Sequence, residues 1–139
     1  MQGPPRRAAV LGHPVAHSLS PVMHRAAYAA LGLAGWQYDA IDVEEAGLAA
    51  FLAGLDPTWS GLSVTMPLKR AVRGYLAGES DLAAEVGAVN TVIVGEGGRL
   101  HGYNTDVYGI IHALGEAGAT MVAEAVVLGG GATAGSALA

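Results

Sequence analysis

Short apolar segments alternate along this 139-residue chain with segments that carry helix signals. Strands are predicted over residues 8–12, 36–43, 59–65, 91–94, 100–103 and 125–128. Helices are predicted over residues 20–31, 44–55, 67–76, 81–86 and 106–118. Alternating strands and helices place helices on the faces of a mainly parallel sheet. We therefore expect a three-layer α/β domain with a mixed sheet, in which residues 91–103 form an antiparallel hairpin.

Helix boundaries are signalled by individual residues. Ser20 followed by Pro21 is the pattern of an N-cap and a first helical residue. Gly32 is placed to end that helix in the left-handed conformation. Asp106 is expected to cap the helix that follows the hairpin.

The end of the sequence begins a second unit. Val126, Val127 and Leu128 lead into Gly129-Gly130-Gly131, which is the strand–turn–helix pattern of a Rossmann domain. Such a unit needs further strands to cover its sheet. We expect a fragment of a longer protein, with one domain over residues 1–105 and a connecting helix plus the start of a Rossmann domain over 106–139. The alternative is a complete domain with a glycine-rich tail.

Charge and composition narrow the classes of partner. The net charge is −5 and no basic run is longer than two residues, such as Arg6-Arg7, so we expect no nucleic-acid partner. The chain has no cysteine, which excludes disulfides and is compatible with a reducing cytosol. Apolar runs such as 46–55 are too short to span a bilayer, and no signal peptide is recognised. These features are compatible with a cytoplasmic protein, which is the location that we expect.

The only lysine, Lys69, follows the strand predicted over 59–65. Open α/β sheets bind ligands at the carboxyl ends of their strands. Lys69 and Thr65 could therefore hold neighbouring hydroxyls of a polyol. The alternative is a solvated lysine, although the dipole at a helix start disfavours a cation there.

Two serines, Ser18 and Ser20, precede the first helix and could donate hydrogen bonds to a carboxylate. The alternative is a helix cap and an ordinary loop residue. The nearby histidines, His13, His17 and His24, have no spacing typical of a metal site, so no metal is expected.

Asn90 and Asp106 form a third group of candidate site residues. Asn90 precedes the first hairpin strand and Asp106 follows the second, so both can reach one sheet edge. Their amide and carboxylate could bind hydroxyls and balance the charge of Lys69. Each residue also has a purely local explanation, as a turn residue or a helix cap.

These runs together resemble shikimate dehydrogenase, in the order and at the spacing of that family. The matching segments are 12–21, 64–69, 87–91, 104–106 and 128–132. The resemblance implies an N-terminal substrate domain, here 1–105, and a Rossmann nicotinamide domain, with the active site between them.

The resemblance also assigns roles. Ser18 and Ser20 would hold the substrate carboxylate. Ring hydroxyls would be held by Thr65, Lys69, Asn90 and Asp106, with Lys69 and Asp106 as the catalytic pair. Ser63 stands where the family usually has asparagine, and it remains a candidate substrate donor. Residues near the cofactor would be Asp81, Gly129, Gly130, Gly131, Ala132 and Thr133. A basic residue that often follows the loop is replaced by Ala134 and Gly135.

The implied activity is the reversible, NADP-dependent reduction of 3-dehydroshikimate to shikimate in aromatic amino-acid biosynthesis. Two alternatives stay open: a polyol-binding module without redox activity, and an enzyme that also accepts quinate. The sequence decides neither NADP against NAD nor the oligomeric state, for which a homodimer is possible. Lys69 could exchange a proton with the substrate oxygen or stabilise the developing alkoxide as a charged donor.

Overall fold

A computed structural model describes residues 4–121 and 123–139. The strands are β1 Arg6–Gly12, β2 Trp36–Asp42, β3 Trp59–Val64, β4 Gly78–Glu79, β5 Thr91–Val94 and β6 Leu100–Tyr103. The helices are α1 Ser20–Ala30, α2 Glu45–Ala53, α3 Leu68–Ala71, α4 Asp81–Val86, α5 Asp106–Glu116 and α6 Ala132–Leu138. Short 3₁₀ helices cover Val72–Tyr75 and Glu96–Gly98.

The described strands form one mixed sheet in the order β2-β1-β3-β5-β6-β4. β1 pairs in parallel with both β2 and β3, whereas β5 is antiparallel to β3 and to β6. The α/β class with a mainly parallel part and an antiparallel hairpin is thus confirmed. Strand β4, parallel to β6, was not predicted, because two residues are too few to show an alternating pattern.

The second half of central strand β1, residues 9–12, is buried on both faces, as its apolar sequence indicates. Leu11 belongs to the larger core cluster, which also contains Leu48 of α2 and Leu62 of β3. Val10 belongs to a smaller cluster with Tyr38 of β2. Both clusters pack on the strands whose carboxyl ends carry the candidate site, so the core holds those ends rigidly.

Two capping predictions are wrong in the same way. Ser20 and Asp106 are the first helical residues of α1 and α5 and neither caps its helix. The side chains that accept the helix N–H groups lie two residues earlier. Ser18 Oγ accepts from the Ser20 N–H at 3.3 Å, and Asn104 Oδ1 accepts from the Asp106 N–H at 2.9 Å. This arrangement leaves the Ser20 hydroxyl and the Asp106 carboxylate available to a ligand.

The prediction of a strand over 125–128 is also wrong. The backbone there is irregular, and Val126 and Leu128 are 86% and 93% exposed. A strand needs a neighbour for its backbone hydrogen bonds, and no described strand lies beside this segment. The glycine turn and its helix α6 do form, and α6 packs against α5 and α4. No helix in the described part is long and apolar enough to cross a membrane.

Candidate active site

A cavity of about 430 Å³ lies at the carboxyl ends of β1 and β3. Every residue predicted to bind substrate lines it: Ser18, Ser20, Ser63, Thr65, Lys69, Asn90 and Asp106. The sheet topology explains why they meet. Strand β5 runs antiparallel to β3, so its first residue lies at the ligand edge, and β6 returns the chain to that edge before α5 begins.

The lysine and the carboxylate form a close ion pair. Lys69 Nζ donates to Asp106 Oδ2 at 2.6 Å, and the two side chains are only 14% and 21% exposed. Asn90 Nδ2 donates to the other carboxylate oxygen, Asp106 Oδ1, at 2.7 Å. The carboxylate thus compensates the cation near a helix start. Because an ammonium group has three donors, Lys69 keeps N–H capacity for a ligand.

Asn90 is held in one orientation by its neighbours. Its Oδ1 accepts from Thr91 Oγ1 at 2.9 Å and from the Thr105 N–H at 3.0 Å. Its Nδ2 donates to Thr105 Oγ1 at 2.8 Å as well as to Asp106. The amide is therefore a fixed part of the cavity wall.

Two aromatic side chains, His24 and Tyr38, support the serines of the cavity. His24 stacks on Tyr38 with ring centroids 3.9 Å apart, and its Nδ1 lies 2.9 Å from the Ser20 carbonyl oxygen. Tyr38 donates its hydroxyl proton to Ser63 Oγ at 2.7 Å. Burial raises the pKa of Tyr38, against the opposing effect of the Ser63 and Ser20 hydroxyls.

The sequence prediction missed these aromatic residues. His24 could have been found from its position four residues after Ser20, which places both on one face of α1. For Tyr38, no local signal distinguishes a residue that supports a site from an ordinary core aromatic.

Close backbone contacts position Thr65. Its N–H donates to the Leu11 carbonyl at 2.8 Å, and the His13 N–H donates to the Met66 carbonyl at 3.0 Å. A Cβ atom at Gly12 would collide with the Thr65 side chain and lie 2.8 Å from the Met66 carbonyl oxygen. Glycine is therefore required at the end of β1 if Thr65 is to keep its place.

His13 lies outside the lining of this cavity and contacts the Asp42 carboxylate at 2.6 Å. The hydrogen bond to Asp42 raises the pKa of His13, against a smaller opposing effect of burial. The same bond lowers the pKa of Asp42. Within residues 4–121 and 123–139, no group of three or more histidine and acidic side chains could hold a metal ion.

A second cavity, of about 480 Å³, adjoins the first and shares Thr65 and Lys69 with it. The glycine loop forms its other wall through Gly129, Gly131, Ala132 and Thr133. Lys69 Nζ lies 3.5 Å from Thr133 Oγ1 across this gap. Arg70 Nη2 donates to the Gly130 carbonyl at 3.2 Å.

The glycine loop, residues 129–131, has an exposed backbone. A Cβ built on Gly130 or Gly131 would meet nothing within 4 Å, so the loop backbone is open to a close approach. Asp81 is different: it is an exposed residue at the start of α4 and lines neither cavity. Its assignment to the cofactor stays a prediction from the resemblance.

The family model of the shikimate dehydrogenase substrate binding domain matches residues 10–92. Shikimate dehydrogenase (NADP(+)) of Symbiobacterium thermophilum is 48% identical over 135 residues, which are 96% of this chain and 45% of that protein. The Moorella thermoacetica protein of the same name is 50% identical over 128 residues, 91% of this chain and 43% of the relative. The chain therefore spans a little under half the length of these curated relatives.

A solved structure agrees with the sequence matches. It is shikimate 5-dehydrogenase of Thermus thermophilus in complex with NADP(H) and shikimate, with a TM-score of 0.87 and 43% identity. The match covers 95% of this chain and 50% of that one.

Proposed function

Because the chain belongs to the shikimate dehydrogenase family, we propose that it supplies the substrate site of an NADP-dependent enzyme that interconverts 3-dehydroshikimate and shikimate. The observation that carries the proposal is the ion pair of Lys69 and Asp106 in a cavity lined by hydroxyl and amide groups. An anionic polyol ring needs this combination of one cation and several neutral donors and acceptors.

The cavity offers a place for each group of such a substrate. The Ser18 and Ser20 hydroxyls, close to the start of α1, can donate to the carboxylate. Thr65, Asn90 and Asp106 can bind ring hydroxyls. Ser63, which accepts a hydrogen bond from Tyr38, keeps its own proton to donate to the ligand.

Reduction of the ring ketone adds a hydride to carbon and a proton to oxygen. When bound, the nicotinamide cofactor supplies the hydride. This chain must stabilise the negative charge that develops on the oxygen, and Lys69 is the cation in the cavity wall that can do so. Asp106 holds the ammonium group in place through the 2.6 Å contact. The Lys69 ammonium group donates the proton to the substrate oxygen and becomes a neutral amine, and in the reverse direction the neutral amine accepts the hydroxyl proton.

Residues 129–133 are proposed to hold the phosphates of NADP, and the family resemblance adds Asp81. We also propose that residues 1–105 form the shikimate-binding catalytic domain and that 106–139 form the connecting helix and the start of the nicotinamide domain. Membership of the family supports a small-molecule substrate. A cytoplasmic location, a homodimer, and the absence of membrane or nucleic-acid partners remain parts of the proposal.

The test is Lys69→Ala and Asp106→Asn in a protein that joins this chain to a complete nicotinamide domain. We expect each variant to lower kcat by about 10²- to 10⁴-fold, because each removes a group that acts in the transition state. Arg99→Gln, at the hairpin turn, is the control and should leave kcat and KM unchanged. Near-normal kcat with only a raised KM in Lys69→Ala would make Lys69 a binding residue and refute its catalytic role.

A binding module without redox activity is the second candidate, because the chain spans only 45% of the length of its relative from Symbiobacterium thermophilum. Titration of the 139-residue chain with shikimate and with NADP separately distinguishes the two. If the chain binds shikimate but neither binds NADP nor turns over, it is a binding module without redox activity. A parallel titration with quinate tests the broader specificity.

A further inference from the structure

Two buried polar side chains within the described part contact each other. Asn104, in the turn between β6 and α5, is 6% exposed, and Ser136 of α6 is 2% exposed. Asn104 Nδ2 donates to Ser136 Oγ at 3.1 Å. This bond joins the turn before Asp106 to the helix that follows the glycine loop, across 32 residues of sequence.

The Asn104 amide has partners in three parts of the molecule. Its Nδ2 also donates to the Ala88 carbonyl at 3.0 Å, in the loop that leads to Asn90. Its Oδ1 accepts from the backbone N–H groups of Asp106 at 2.9 Å and Val107 at 3.4 Å. Ser136 in turn donates to the Ala132 carbonyl at 3.3 Å. One buried amide thus contacts both the substrate-site turn and α6.

Such an amide cannot rotate or shift without breaking several bonds at once. Each buried donor or acceptor left without a partner is costly, because no water replaces the lost partner. A displacement of α6 that carries Ser136 must therefore move Asn104 or leave one of its N–H groups unpaired. Movement of Asn104 in turn moves the backbone N–H that begins α5 at Asp106.

We propose that Asn104 is a positioning residue, and that its hydrogen bond to Ser136 couples the glycine-loop helix to the Asp106 end of the substrate site. The proposal rests on the function proposed above, since it takes shikimate as the ligand of the site. It makes Asn104 and Ser136 the route by which an occupied substrate site and the cofactor loop affect each other.

A competing route exists through Lys69 and Thr133. Their contact is 3.5 Å long and exposed, whereas the Asn104–Ser136 bond is shorter and buried. Thr133 and Ser136 are both hydroxyl residues of α6, so removing each hydroxyl in turn gives a matched pair of variants. Ser136→Ala breaks the proposed route, and Thr133→Val breaks the competing one.

The experiment is a titration of the ¹⁵N-labelled 139-residue chain with shikimate, followed by backbone amide resonances. In the unmodified chain we expect shifts at Asn90, Thr105 and Asp106 and also along α6. Ser136→Ala should keep the site shifts and lose those of α6, with the Kd of shikimate changed by no more than about twofold, since Ser136 lies outside the cavity. In Thr133→Val, which alters a residue of the proposed cofactor loop, the α6 shifts on addition of shikimate should persist.

The outcomes separate this inference from the proposed function. Absence of any shift at Asn90 or Asp106 in the unmodified chain would refute shikimate as the ligand of the site. Three results would overturn the coupling. In the unmodified chain, the site resonances could shift without any response of α6. The α6 response could also persist in Ser136→Ala, or be lost in Thr133→Val.

A measurement without ligand tests the same contact independently. Ser136→Ala should move the side-chain amide resonances of Asn104 and the backbone resonances of Asp106 and Val107. A thermal melt of each variant checks that it remains folded. Unchanged Asn104 and Asp106 resonances in a folded Ser136→Ala chain would overturn the proposal, whatever shikimate does.

Discussion

At the scale of single residues, the site uses polar side chains at helix starts that are not needed to cap those helices. Asp106 starts α5, yet Asn104 accepts the hydrogen bond from its backbone N–H, so the carboxylate can pair with Lys69. Likewise, Ser18 Oγ accepts the hydrogen bond from the Ser20 N–H, so the Ser20 hydroxyl remains available to a ligand. A functional residue at a helix start is thus available because a neighbour two positions earlier satisfies the backbone.

Gly12→Ala tests how tightly one residue is positioned. The new Cβ would collide with Thr65, so we expect a loss of about 1–3 kcal/mol in the free energy of unfolding and weaker shikimate binding. Urea unfolding and calorimetric titration measure the two effects. Gly47→Ala is the control, because its Cβ would lie 3.8 Å from Val43 Cγ1, an ordinary contact. Unchanged stability and Kd in Gly12→Ala would show that Thr65 needs no such clearance.

At the scale of elements, an ion pair joins the 3₁₀ helix Val72–Tyr75 to β4. Arg73 Nε and Nη2 donate to the two oxygens of Glu79 at 2.8 and 2.6 Å. These bonds lower the pKa of Glu79, against a smaller opposing effect of burial. A folded pKa below the unfolded one means that the pair stabilises the fold above the unfolded pKa, and that this stabilisation is lost as pH falls through the folded pKa.

Glu79→Gln should therefore lower the free energy of unfolding at pH 7 by about 0.5–1 kcal/mol, the value of a partly exposed pair. The difference between the two proteins should shrink as the pH falls below 4.5, the ordinary pKa of a glutamate. Urea titrations at several pH values measure it. Glu96→Gln serves as the control, because none of the ion pairs in the described part of the chain involves Glu96. A difference that is constant with pH would contradict this explanation.

At the scale of the whole molecule, two cavities meet at Lys69. One is walled by the sheet edge and α1, and the other by the glycine loop, so a ligand placed beside Lys69 would face the loop. The loop is placed by α6, which packs on α5 and α4, and not by the sheet. The segment before the loop, residues 124–128, contributes no strand pairing in the described structure.

Val126→Ser tests that arrangement in this chain. Val126 is 86% exposed, so its replacement should change the free energy of unfolding by no more than about 0.5 kcal/mol. Leu62→Ala, at a core position that is 2% exposed, should cost about 2–5 kcal/mol. Denaturant unfolding compares the two. A large loss in Val126→Ser would mean that residues 125–128 are buried after all.

The amino-acid sequence by itself determined most of the alternating elements and the hairpin, which follow from short-range properties: apolar periodicity and glycine and proline signals. The polar residues of the cavity were predicted from side-chain chemistry and from the family resemblance, which did not include His24. Tertiary structure alone decided that Lys69 and Asp106, 37 residues apart, lie 2.6 Å from each other. It also decided that Asn104 and Ser18 act as caps, that β4 forms and that 125–128 does not. Each of these outcomes depends on which partner is present in space, and the local sequence does not contain that information.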